Sequence, residues 1–150
     1  MGQQQLLLVI LVTIIVGIAT VVAINTFSSA ADSANLDAVR QDMLSIASSS
    51  QQYYMKPEAL GGGGNDFDEM TANNLGGVPG DVTGNLEITN ENGVYQISDV
   101  GGQAFTISGA PASADGYDGT FGSVAAGDII TAGVGPDDID MGGDANTVGS

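Results

Sequence analysis

The chain has 150 residues, 18 acidic and 2 basic side chains, a net charge of −16, and neither Cys nor His. The missing cysteines exclude disulfides, thiol chemistry and Cys-based zinc sites, and the missing histidines remove the commonest general base and transition-metal ligand. With only Arg40 and Lys56 as cations, the chain cannot neutralise a phosphate backbone or adhere by charge to an anionic membrane, so no nucleic-acid partner is expected.

No charged side chain precedes Asp32. The run Leu6 to Ile24 is apolar for 19 residues, interrupted only by Thr13, Gly17 and Thr20. As a helix it would span about 28 Å, close to the hydrocarbon thickness of a bilayer. It is too long for a signal-peptide core and lacks a basic stretch before it; Ala30-Ala31 is the best cleavage candidate on that alternative.

Helix-compatible sequence continues past Asn25. Leu36, Val39, Met43, Ile46 and Ala47 recur at three- and four-residue spacing, and Ser50 and Tyr54 extend the stripe. No Gly or Pro occurs between Gly17 and Pro57; Pro57 ends the pattern because it cannot donate a backbone hydrogen bond. The spacing predicts one helix over about residues 3–55, apolar all round in its first half and amphipathic in its second.

Residues 61–84, "GGGGNDFDEMTANNLGGVPGDVTG", read as a long loop. The four glycines suit either a flexible linker or close passage of backbone against a helix, with Phe67, Met70 and Leu75 as candidate pins. From Asn85 the period becomes two. Leu86 and Ile88, Tyr95 and Ile97, and Phe105 and Ile107 each share a face, and Asn- and Gly-containing turns separate the pairs. The expected fold class is therefore α+β: the long helix packed on an antiparallel sheet of three to four strands, the fourth near residues 128–133. The helix–head contact set is Leu36, Val39, Met43, Ile46 and Tyr54 with Leu86, Ile88, Tyr95, Ile97, Phe105 and Ile107. The segments are 1–25 (apolar helix half), 26–56 (amphipathic half), 57–84 (Gly-rich loop) and 85–150 (acidic β-rich head).

Little in the chain points to chemistry. Ser48, Ser49 and Ser50 have no base to activate them, and "GGVPGDVTG" lacks the Lys of a phosphate-binding loop. The stretch "PDDIDMGGDANT" offers Asp137, Asp138, Asp140, Asp144 and Asn146. Alternating oxygen ligands suit Ca²⁺, but the glutamate and helix that complete an EF-hand are missing. A solvated acidic loop is the first reading and Ca²⁺ the alternative; "ADGYDGT", with Asp115 and Asp118, is a lesser candidate of the same kind. No cofactor and no enzymatic activity are expected.

An apolar N-terminal helix running into an amphipathic half beneath a small β-rich head resembles the type IV pilin superfamily. "MGQQQLLLVIL" and "QQYYMKPEALGGGGNDF" are similar to short bacterial pilin-like proteins with Gly-Gln-rich starts and a Tyr-Tyr-x-Lys-Pro stretch before a glycine run. The "GQ" start and "AINT" resemble archaeal pilins and archaellins to a lesser degree. The resemblance covers about residues 1–67. It implies a homo-oligomeric helical filament at the cell surface. Subunits would be held in the cytoplasmic membrane before assembly, extracted by pilus machinery, and packed through Leu6, Leu7, Leu8, Ile10, Leu11, Ile14, Ile15, Gly17, Ile18, Val21, Val22 and Ile24. Where bacterial pilins carry a glutamate at the fifth mature position, this chain has Gln5, or Leu7 if cleavage follows Gly2. A secretion-system pseudopilin and a single-pass surface protein are the alternative readings. The acidic excess fits a salty habitat, where a short Debye length screens self-repulsion, or equally an ordinary acidic secreted protein.

Overall fold

The structure is a computed structural model that describes residues 2–143. It divides into two compact units, residues 1–34 and 35–150. Helix α1 runs Gly2–Met55 without a break, as the absence of Gly and Pro after Gly17 predicts. In the first unit it is the only element.

The second unit is α+β. The C-terminal part of α1 lies on a six-stranded antiparallel sheet made of β1 (Asp81–Gly84), β2 (Glu87–Thr89), β3 (Gly93–Gly101), β4 (Ala104–Pro111), β5 (Ile130–Val134) and β6 (Ile139–Met141). The order is β1-β2-β3-β4-β5-β6, a meander with every neighbour consecutive in the chain. The expectation of three to four strands is therefore corrected to six. The two additional strands are the edges. β1 lies in what reads as the Gly-rich loop, and β6 in what reads as the acidic tail. Each is short: β1 has a single large apolar residue, Val82, and the Ile139–Met141 pair of β6 stands among acids. Pairing supplies the order instead: Val82 opposite Ile88, and Ile139 opposite Val134.

One face of the sheet and one stripe of the helix make the core. Val39, Met43, Ile46, Ala47 and Tyr53 are buried with Ile88, Tyr95, Ile97, Phe105, Ile107, Ala132 and Val134; Tyr54 and Leu86 pack against this cluster partly exposed. Leu36 is half-buried. Gly109 on β4 lies close under the helix: a Cβ there would lie 2.9 Å from both Met43 Sδ and Val39 Cγ1. Phe67, Met70 and Leu75 of the connecting segment are buried. Phe67 bridges helix and sheet through ring contacts with Tyr54 (4.7 Å) and Phe105 (5.0 Å).

The glycine run is a helix terminator, so the linker alternative is set aside. After Pro57 the chain makes a turn of 3-10 helix, Glu58–Leu60, and folds back on the end of α1. Gly63 N–H donates to Tyr53 O (2.9 Å), Gly64 N–H to Lys56 O (2.9 Å) and Asn65 N–H to Tyr54 O (2.8 Å). Carbonyls that every helix leaves unpaired at its C-terminus are thus satisfied by backbone. Side chains would block the fold-back: a Cβ on Gly62 would fall on the Lys56 carbonyl, and one on Gly63 on the Asp66 carbonyl.

Candidate assembly surface

Among the described residues nothing covers the apolar helix of the first unit. The predicted packing residues Leu6, Leu7, Leu8, Ile10, Leu11, Ile14, Ile15, Ile18, Val21, Val22 and Ile24 are all exposed, from 47% at Ile10 to 67% at Leu7. Val9, Val12 and Val16 are exposed alike. The best 18-residue window has a mean hydropathy of 3.2 and none of it is buried, so the helix is long and apolar enough to cross a membrane. An apolar surface this continuous exceeds the few hundred Å² that soluble monomers usually expose.

The threonine hydroxyls of this unit bond back to the helix. The Thr13 hydroxyl donates to the carbonyls of Ile10 (2.8 Å) and Val9 (3.0 Å), that of Thr20 to Val16 (2.8 Å), and that of Thr26 to Val22 (2.9 Å). Such back-bonding lets a hydroxyl enter hydrocarbon without an unpaired donor. Gly17 leaves open space where a Cβ would stand. Phe27, 78% exposed, extends the apolar surface beyond the predicted set. Its position three residues after Ile24 is the signal that the run-based reading passes over.

The head is fastened to α1 by a polar knot that periodicity does not reveal. Asp42 Oδ2 accepts from Asn90 Nδ2 (2.7 Å), Asn92 Nδ2 (2.8 Å) and the Tyr95 hydroxyl (2.7 Å). Asn90 in turn shapes the β2–β3 turn, its Oδ1 accepting from the N–H groups of Asn92 (2.9 Å) and Gly93 (3.1 Å). Burial, and then the neighbouring Asp42 carboxylate, push the Tyr95 phenol well above its ordinary value, so it remains a donor at every physiological pH. Asn35 adds a second tie, donating to Asn92 O (3.1 Å) and accepting from Ser113 N–H (3.2 Å).

Three of the candidate Ca²⁺ ligands, Asp137, Asp138 and Asp140, lie within the described residues. Asp137 and Asp138 lie in the β5–β6 turn, closed by Gly135 N–H to Asp138 O (2.8 Å), and Asp140 sits in β6 opposite Gly133. Asp144 and Asn146 lie outside the described residues. Among the described residues no group of three or more acids is placed to hold a metal ion. The Asp118 carboxyl is held below its usual range, chiefly by the Thr120 hydroxyl at 2.6 Å and then by Ser123. The serines 48–50 are divided by the helix: Ser48 is exposed, while Ser50 is buried and donates to Ile46 O (2.9 Å). Comparisons with protein-family models, with curated proteins and with solved structures found no match.

Proposed function

We propose that this chain is the structural subunit of an extracellular filament of the type IV pilin kind, polymerising through the first half of α1. One observation carries the reading. A helix with an uncovered apolar half continues, with no linker, into a half that is core to a folded acidic head. More than ten large aliphatic side chains stand in the open. At ~1.5–3 kcal/mol each, exposing them to water costs roughly 20–40 kcal/mol, an upper bound. That exceeds the whole stability of a typical domain, so a dissolved monomer is not a resting state. Hydrocarbon or other copies must take up this surface.

A bilayer and a bundle of like helices bury it about equally. The preference for the bundle then comes from close packing and from machinery that extracts the subunit. At the position where bacterial pilins hold a glutamate, either Gln5 or, if cleavage follows Gly2, Leu7 enters such a core without a charge to compensate. The role is mechanical and needs neither cofactor nor catalytic group. The pseudopilin reading differs only in filament length.

The solitary-anchor reading shares the membrane segment but gives no reason for the helix to stay unbroken through residues 25–34. Electron microscopy and N-terminal sequencing of shed surface material decide between them. Filaments whose subunits retain Leu6 to Ile24 support the polymer. A shed, unpolymerised form beginning after Ala31 would refute it.

A further inference from the structure

The glycine wrap at the end of α1 borders a pocket of about 480 Å³. The backbone of residues 61–63 forms part of its wall, and the charges on that wall are all negative: Glu58, Asp66, Asp68 and Glu69. No basic residue occurs in the last turn of α1. Among the described residues the only ion pair is that of Arg40 with Asp37, so Lys56 neutralises none of the four acids. Tyr53 lines the same pocket. It is 6% exposed, and its hydroxyl, unlike those of Tyr54 and Tyr95, has no hydrogen-bond partner among the described residues. Among those residues no side-chain oxygen or nitrogen shut off from solvent lacks a partner, so the Tyr53 oxygen reaches the surface. Gly63 keeps that end of the ring uncovered: a Cβ there would lie 2.8 Å from Tyr53 Cε1, a ring carbon beside the one that bears the hydroxyl.

We propose that this pocket binds an alkylammonium group, carried by a free polyamine or by a lysine side chain. Four carboxylates around one concave space repel each other, and concave walls focus their field on whatever enters. The C-terminal end of α1 adds partial negative charge from its backbone. A cation placed there relieves both. An ammonium brings three N–H donors and no acceptor, so it needs a wall of oxygens. The carboxylates supply them, and the Tyr53 hydroxyl supplies one more, already desolvated on its ring side and with no bond to give up. A bare metal ion fits less well. Ca²⁺ takes about six to eight oxygens at about 2.3–2.6 Å, whereas among the described residues no three acids are placed to hold a metal ion. The volume falls in the range of small-molecule sites, about 300–1,000 Å³, which leaves room for the methylene chain behind the ammonium. The pocket belongs to the single chain, so binding does not depend on polymerisation.

Isothermal titration calorimetry of the full-length chain in a mild detergent tests this with two probes, spermidine and a lysine capped at its α-amino and carboxyl groups. Salt at about 0.15 M, where the Debye length is about 8 Å, screens attraction to the overall charge. Saturable binding of one or both probes is expected; spermidine alone identifies a free polyamine, and the capped lysine alone a peptide side chain. Tyr53→Phe keeps the ring and removes the hydroxyl. Glu58→Gln with Glu69→Gln changes two exposed side chains of the wall. Each of these variants should weaken binding several-fold. Glu91→Gln with Asp128→Asn removes the same charge from exposed positions outside the pocket and should leave binding unchanged. Absence of saturable binding overturns the proposal. So does wild-type affinity in a folded Tyr53→Phe, a loss in the Glu91 and Asp128 pair equal to that in the Glu58 and Glu69 pair, or displacement of the amine by equimolar Ca²⁺. Should Tyr53→Phe fail to fold, the comparison of the two acid pairs decides alone.

Discussion

Replacing Asp42 with Ala removes the acceptor that joins α1 to the β2–β3 turn. Three donors converge on its Oδ2 within 2.7–2.8 Å. Hydrogen bonds to a charged group contribute about 1.5–3 kcal/mol each, so the gross loss is roughly 4.5–9 kcal/mol. Two of the donors have a fallback. Asn90 Nδ2 also reaches Pro79 O at 2.6 Å, and the Tyr95 hydroxyl has Asn90 Oδ1 at 3.4 Å. Asp42 is itself half-exposed, so water replaces part of what remains. A net loss of about 3 kcal/mol results, which for a head of this size lowers the melting temperature by roughly 10–15 °C. Asp42→Asn keeps an acceptor oxygen but not its charge, and should lose about half as much, because charge-assisted bonds are about twice as strong as neutral ones. Thermal melts of the full chain in a mild detergent, followed by tyrosine near-UV circular dichroism, measure both. A loss below about 1 kcal/mol in Asp42→Ala would falsify the view that the knot anchors the head.

Three further outcomes are expected. Tyr95 has a folded-state pKa above its unfolded value of about 10, so its contribution is complete below pH 10 and is lost as pH rises beyond it. Tyr95→Phe should cost about 1–2 kcal/mol at neutral pH and flatten the alkaline limb of a pH–stability profile; an unchanged limb sinks the assignment. Gly109→Val drives a branched side chain into Met43 and Val39. Overpacking of this kind costs about 1–3 kcal/mol, read as a lower urea midpoint, and a neutral result would mean that helix and sheet are not in tight contact there. Ile15→Asp puts a charge in the middle of the exposed run at about 2.5–3.5 kcal/mol for membrane insertion. Vesicle flotation and filament yield should both fall while the head's dichroism is unchanged; wild-type filament yield contradicts the proposed core.

The helix was legible because its evidence is local. Val39, Met43 and Ile46 repeat at helical spacing, and nothing between Gly17 and Pro57 opposes them. The central strands were legible for the same reason, since Tyr95 and Ile97 or Phe105 and Ile107 alternate cleanly. The edge strands were not, because β1 and β6 gain their order from partners rather than composition. The glycine wrap was half legible. Four glycines announce an unusual backbone, but whether it is loose or tight depends on the carbonyls of Tyr53, Tyr54 and Lys56 that it meets. The Asp42 knot was hidden altogether: its members are some fifty positions apart, and a single Asp off the apolar stripe looks like any solvated residue. The apolar surface of Leu6 to Ile24 needed no tertiary information, and Phe27 escaped only because the run was delimited by its first polar neighbours.

The uncrossed meander has a consequence for how such a protein is made. Every strand after β1 pairs with the one synthesised just before it, so loop-closure entropy is small at each step except the long connection between Pro111 and Ile130, and the sheet can grow by addition, a topology associated with rapid folding. The helix stripe that closes the core precedes all of the strands in the chain. If the chain is tethered by its first half, as proposed above, that stripe is a template already waiting when the first hairpin arrives. With no cysteine in the chain, completing the head requires no disulfide formation.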